Sequence, residues 1–193
     1  HTVETIRHVP PQKTLRLAAL FHDIAKPKCR TTDENGIHHF RGHPLKGEEM
    51  TGQIMRRLKF DNDTIRHVCK LVRYHDDNPP LSAGSIRRAL NRAGQDAYPA
   101  LFALKRADIL SQSTFERESK LAYVDEYEKI YHDIIQKKEC FTVQDLAVNG
   151  SDLIAAGMRQ GKEIGETLGK LLELVLEDPA QNTKENLLEH VIK

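Results

Sequence analysis

The chain lacks what would mark it for a membrane, an oxidising compartment or a bulk polyanion. No apolar run approaches the roughly 18 to 20 residues of a membrane span, and the N-terminus has no signal-peptide pattern. A cytoplasmic protein with no membrane attachment is therefore expected. Cysteine is scarce: Cys29, Cys69 and Cys140 are odd in number, which argues against a disulfide framework, and too far apart for a zinc knuckle. Neither charge is in excess, with 29 Lys and Arg against 28 Asp and Glu. That excludes a polycation, so any nucleic-acid contact must be local. Strand signals are nearly missing. An initiator methionine is missing as well, and a chain that opens on His1 reads as a piece of something longer.

What is present is helical periodicity over 193 residues, enough for one domain or one and a half. Residues 2–9 form a short pattern, and residues 14–24 form a core helix with Leu17, Leu20, Phe21 and Ile24 on one side. The polar segment 29–42 is expected to make a loop or small hairpin over the site. A helix over 44–58 sets Met50, Ile54 and Leu58 at i, i+4 and i+8, and Asp61 or Asn62 caps the next, with Ile65, Val68, Cys69 and Val72 inward. Residues 85–93 follow, then a helix opened by Pro99 and carrying Leu101, Leu104 and Asp108. The segment 114–137 reads as a long charged strut whose Phe115, Tyr123, Tyr127, Ile130 and Ile134 lean on a neighbour without full burial.

Beyond Glu139 the texture changes. An extended stretch at 140–143 and a short helix ending at Gly157 precede a helix over 161–176, with Ile164, Leu168, Leu171, Leu172 and Val175 inward. Asn182 caps a last helix, with Glu185 as capping-box partner. The fold class is all-α: a helical bundle over 1–138 and a smaller helical tail over 139–193.

His1, His22-Asp23, His43, His75 and Asp108 each fall at or near an expected helix end in separate elements. Antiparallel helices can bring such ends together. The His-Asp dipeptide alone is weak, since it recurs at His75-Asp76 and His132-Asp133. Adjacent helical residues point about 100° apart, so Pro27 is expected to end the helix and open the backbone around His22 and Asp23. Imidazole and carboxylate together suit manganese, iron, cobalt, nickel or zinc better than calcium. Such an ion acidifies water and clamps a phosphate oxygen, the basis of phosphoester hydrolysis. Lys26 offers charge for that phosphate.

Plainer roles exist for each of these residues. His22 and Asp23 fit a helix-terminal pair held by local backbone, and His43 a loop or capping histidine after Gly42. His75 suits a helix C-terminus through the macrodipole. Asp108 is costly to bury alone and could pair with Arg106. His8, His67, His132 and His190 lie among charged neighbours and are assigned no role, and His38 and His39 belong to the covering loop.

The order of these residues resembles the HD-domain metal phosphohydrolases. More closely, His22-Asp23-Ile24-Ala25-Lys26-Pro27, His39-Phe40-Arg41-Gly42-His43 and Leu71-Val72-Arg73-Tyr74-His75 resemble the HD region of bacterial tRNA nucleotidyltransferases, the CCA-adding and poly(A) polymerase family. Residues 146–153 and 161–165 are similar to that family's tail. The resemblance implies a first metal shell of His1, His22, Asp23 and Asp108, with His43 and His75 serving a second ion or the phosphate and Lys26 assisting. It implies a divalent cofactor (Mn, Ni, Co, Fe, Mg or Zn), a nucleotide phosphoester such as a 2′,3′-cyclic nucleotide as substrate, and tRNA as partner. Two departures stand out: Ala25 replaces the family's usual glycine, and His1 has no preceding helix turn.

A nucleotidyltransferase head needs a Gly-Ser turn followed by paired aspartates, and this sequence contains none, so this piece is not expected to add nucleotides. Two functional classes follow, a metal-dependent phosphohydrolase or a non-catalytic tRNA-binding body and tail. In the tail, the turn before residue 161 exposes first-turn amides beside Arg159 and Lys162, which suits a phosphate or serves only as a helix–helix corner. The resemblance makes tRNA the expected source of that phosphate.

Overall fold

The structure, a computed structural model, describes residues 1–191. Helices form where apolar positions recur three and four apart between capping residues. In chain order they are α1 (Thr2–His8), α2 (Lys13–Phe21), α3 (Lys26–Cys29), α4 (His43–Arg57), α5 (Asn62–Tyr74), α6 (Ala83–Ala93), α7 (Tyr98–Ser111), α8 (Arg117–Gln136), α9 (Gly150–Ala155), α10 (Lys162–Glu177) and α11 (Lys184–Glu189). Between α3 and α4, β1 (Thr31–Thr32) pairs antiparallel with β2 (His38–His39), Thr31 opposite His39. The segment 29–42 is thus a small hairpin, and the chain is essentially all-α. No helix among the described residues is long and apolar enough to cross a membrane.

The chain forms two compact units, 1–78 with 93–125, and 79–92 with 126 onward. The second therefore holds 79–92 and half of α8 as well as the segment read as a tail.

In the first unit α4 packs along α5, α2 crosses α5, and α1 lies against α2 and α7. The buried face of α4 is not the apolar row Met50, Ile54, Leu58. It is His43, Gly47, Thr51 and Met55, while Leu58 is 57% exposed. Gly47 gives the reason: a Cβ there would meet Val72 Cγ1 at 3.1 Å, so the missing side chain lets the helices close on this row. This row carries His43 inward. On α2, Leu15, Ala18, Ala19 and Phe21 are buried, whereas Leu20, expected inside, is exposed and Leu17 only half-buried. Asp61 caps α5 by accepting from Thr64 N at 2.8 Å, and Ile65, Val68, Cys69 and Val72 face inward as expected.

Helix α8 starts at Arg117, leaving Phe115 outside it and exposed. It buries Val124, Tyr127, Tyr131 and Ile134, so it is no half-buried strut.

The second unit is built on Leu146, Val148, Leu153, Leu171, Leu172, Val175, Leu176 and Leu187. Its Arg87 is buried and donates to Leu176 O at 2.8 Å, Glu177 O at 2.9 Å and Glu139 Oε2 at 2.6 Å, capping the last carbonyls of α10. Thr142 is extended, and the extended stretch stops one residue earlier than expected, because Val143–Asp145 is a 3₁₀ turn closed by a Thr142–Asp145 capping box. The cap of α11 is Thr183, because Asn182 is occupied elsewhere, accepting from Ala147 N and donating to Asp145 O.

Candidate metal centre

Helix α2 stops at Phe21, well before Pro27. Ile24 N bonds Phe21 O at 3.1 Å and Lys26 N bonds Asp23 O at 3.0 Å, two i→i−3 contacts that tighten the chain. Pro27 instead sits in the first turn of α3, where its missing N–H is harmless. The tight turn, rather than the proline, brings the two neighbouring side chains to one side, with His22 Nε2 3.4 Å from Asp23 Oδ2.

The ends of four further elements converge there. Preceding α1, His1 places Nε2 3.2 Å from His22 Nε2, 3.5 Å from Asp23 Oδ2 and 2.9 Å from Asp108 Oδ1 on α7. Asp108 Oδ1 is also 3.3 Å from His22 Nε2. On the other side of Asp23, Oδ1 faces His43 Nε2 at 3.5 Å and His75 Nε2 at 3.7 Å, and those two nitrogens are 3.2 Å apart. Two sets of donor atoms result, His1, His22 and Asp23, and Asp23, His43 and His75, each with all its atoms within 4.8 Å of one another. The single Asp23 carboxylate belongs to both.

Each ring is oriented from behind. Nδ1 of His22 contacts Ala19 O at 2.8 Å, that of His43 Phe40 O at 2.9 Å and that of His75 Val72 O at 2.8 Å. A carbonyl can only accept, so each Nδ1 carries a proton and each Nε2 is turned to the cluster, the orientation typical of metal-binding histidines. Asp23 Oδ1 and Asp108 Oδ1 are buried with only the imidazole nitrogens of the cluster beside them. Imidazole nitrogens facing buried carboxylate oxygens fit a divalent cation, and the mixed nitrogen and oxygen donors fit a transition metal better than calcium.

Without an ion the carboxylates favour a protonated His22, so an ion binding there displaces a proton. Burial disfavours a charged His22, but Asp108 and Asp23 outweigh it and raise the imidazole to about 9. Burial also opposes a charged Asp23, yet His22, His75 and Lys26 hold its carboxyl well below the usual range. For His43 burial prevails and the ring is pushed down.

The plainer role read for Asp108 is excluded, since Arg106 pairs with Asp125 at 2.6 Å and Asp108 Oδ2 accepts from Gln112 Nε2 at 2.9 Å. Lys26 Nζ lies 2.7 Å from Asp23 Oδ2 and 5.7 Å from the centre of the Phe40 ring. Ala25 is fully buried, and a Cβ at Gly47 would lie 3.9 Å from its methyl, an ordinary van der Waals contact, so the methyl is accommodated without strain against α4. Arg159 and Lys162 belong to the second unit, are exposed, and Lys162 pairs with Glu166 at 3.3 Å. His8, His67, His132 and His190 are exposed.

Sequence reasoning missed the cavity beside the cluster. About 400 Å³ in volume, it is lined by His75, Asp108, Lys105, Gln112, Lys120 and Tyr123, among others. The i, i+4 relation of Asp108 to Gln112 and the lysine one turn before Asp108 were the available signals.

Residues 43–191 match the family model for tRNA nucleotidyltransferase domain 2. A CC-adding tRNA nucleotidyltransferase of Thermus thermophilus is 33% identical over 180 residues, 90% of this chain and 39% of that protein. An A-adding tRNA nucleotidyltransferase of Deinococcus radiodurans is 28% identical over 163 residues, 82% of this chain and 37% of that protein. The chain thus spans about two fifths of the length of these curated relatives. No solved structure gives a significant match. The chain belongs to the tRNA nucleotidyltransferase domain 2 family, the C-terminal region of CC- and A-adding enzymes.

Proposed function

We propose that this region is an HD-type, metal-dependent phosphohydrolase within a tRNA nucleotidyltransferase, acting on nucleotide phosphoesters such as 2′,3′-cyclic nucleotides. The observation that carries this reading is Asp23, whose two oxygens face two sets of histidine nitrogens. His1, His22, Asp23 and Asp108 would hold the ion, and His43 and His75 would hold a second ion or the phosphate. A bound divalent ion supplies an acidified water and neutralises charge on a phosphate oxygen. The chain supplies the rest. The backbone carbonyls of Ala19, Phe40 and Val72 fix the ring tautomers, Gln112 orients Asp108, and Lys26 turns its ammonium toward the phosphate.

In this reading residues 1–138 are the metal-binding domain and 139–193 a tail that contacts tRNA, with Arg159 and Lys162 on the phosphate backbone. Both relatives are named for adding nucleotides to tRNA, which supports tRNA as the partner of the whole enzyme. The test is hydrolysis of 2′,3′-cyclic AMP by metal-loaded protein, with Asp23→Ala as control. Loss of hydrolysis in the variant is expected, and equal rates would remove the cluster from the mechanism.

One observation favours the second class, a tRNA-binding body without hydrolysis. The Lys26 ammonium already contacts the Asp23 oxygen that an ion would use. A chain that binds tRNA but retains no metal would establish it.

A further inference from the structure

We infer that the cavity beside the cluster binds the uncharged nucleoside part of a mononucleotide, with Tyr123 as the surface for the base and Lys105 as donor to its acceptor groups. The inference rests on the hydrolase reading only for where the phosphate sits.

Position comes first. The cavity wall includes His75 and Asp108, one from each side of Asp23, so an ester whose phosphate reaches the cluster from here leaves its remaining atoms in the cavity. Its volume of about 400 Å³ is at the small end of ligand sites and suits a group of nucleoside size.

Chemistry narrows the occupant. Lys105 is 6% exposed, and its ammonium donates to His75 O at 2.8 Å and Asn78 Oδ1 at 3.0 Å. An ammonium has three donors, so one N–H remains for a ligand acceptor such as a base carbonyl, a ring nitrogen or a ribose hydroxyl. A buried spare donor disfavours a purely alkyl group, which would leave it unmet. Tyr123, half-buried in the same wall, offers the flat aromatic face on which bases stack. Charge then excludes polyphosphates. The lysines Lys105 and Lys120 are offset by Asp76 in the lining and by Asp77, whose charge also acts on Lys105, so no net positive field awaits a further phosphate. Lys120 is moreover engaged, donating to Gln112 Oε1 at 3.3 Å, while Gln112 holds Asp108.

The experiment is equilibrium binding of adenosine, AMP and ADP to the metal-loaded chain and to Tyr123→Leu and Tyr123→Phe. Leucine keeps an apolar bulk in the wall but removes the ring face, and phenylalanine keeps the ring. Adenosine should bind the parent and Tyr123→Phe, and bind Tyr123→Leu about tenfold or more weakly, while metal content stays at the parent level. AMP should bind more tightly than ADP. Parent protein that ignores adenosine, Tyr123→Leu that binds it equally well, or tighter ADP would overturn the inference. Hydrolysis of 2′,3′-cyclic AMP that adenosine fails to inhibit also overturns it and leaves the hydrolase reading standing. Tyr123-dependent adenosine binding without any hydrolysis supports the nucleoside site and removes the hydrolase reading instead.

Discussion

Lys26 Nζ lies 2.7 Å from Asp23 Oδ2, the oxygen that also faces His1 and His22. In the hydrolase reading an ion would take over that carboxylate and release the ammonium, which lies one turn along beside the Phe40 ring, toward an incoming phosphate. Lys26→Met should therefore retain metal and lower kcat/KM for a cyclic nucleotide by about tenfold or more, the scale of one charge-assisted hydrogen bond. Metal analysis with steady-state kinetics checks it. Metal lost together with activity would make Lys26 a support for Asp23 instead.

Burial separates two leucines that sequence alone treats alike. Leu153 is fully buried in the core of the second unit, whereas Leu20 is 46% exposed on α2. Leu153→Ala should cost about 2–5 kcal/mol of unfolding free energy through the cavity it leaves. Leu20→Ala should stay within about 0.5 kcal/mol, as surface substitutions do. Denaturant titration of both variants tests the assignment of the α2 face.

That face shows where sequence reading stops. The helices, the hairpin and the converging histidines and aspartates were legible, because helical periodicity and side-chain chemistry are local. Which face of α4 is inside was not. Close approach favours Gly47 and Thr51 over the more apolar Met50 and Ile54, and only the neighbouring Val72 shows why. Asn182 was read as a cap because its type suits one, but its amide bridges Ala147 and Asp145, distant in sequence. Lys105 was unreadable for the same reason: its partners, His75 and Asn78, lie about thirty residues earlier.

Cys140 is 4% exposed, and burial, with Asp145 nearby, pushes its thiol up to about 11 from the ordinary 9.0. A thiol is neutral when protonated, so between pH 9 and 11 the unfolded chain gives up this proton first. The thiol's contribution to stability is then full below pH 9 and lost as pH rises through that window. The stability difference between the parent and Cys140→Ala should hold steady below pH 9 and shrink above it. Alkylation at pH 8 should label half-buried Cys29 ahead of Cys69 and Cys140, since the reagent reaches a buried thiol only through local opening. Mass spectrometry of the labelled chain reads the order.

Arg159 and Lys162 flank the start of α10, where Gly161 leaves the first-turn amides without a side-chain cap. If tRNA phosphates lie there, Arg159→Ala with Lys162→Ala weakens tRNA binding and lowers the slope of log K against log salt by about 1 to 2, as fewer counterions are released. Hydrolysis of small nucleotides should not change. An unaltered affinity and slope would leave this turn a structural corner.

The central claim is that Asp23, with His1 and His22, holds a divalent metal ion. Anomalous diffraction from crystals soaked in manganese tests it most directly. A peak within bonding distance of Asp23 Oδ2 and the Nε2 atoms of His1 and His22 is the expected result, with Lys26 withdrawn from the carboxylate. Density showing no ion at the cluster, and Lys26 still on Asp23, would contradict it.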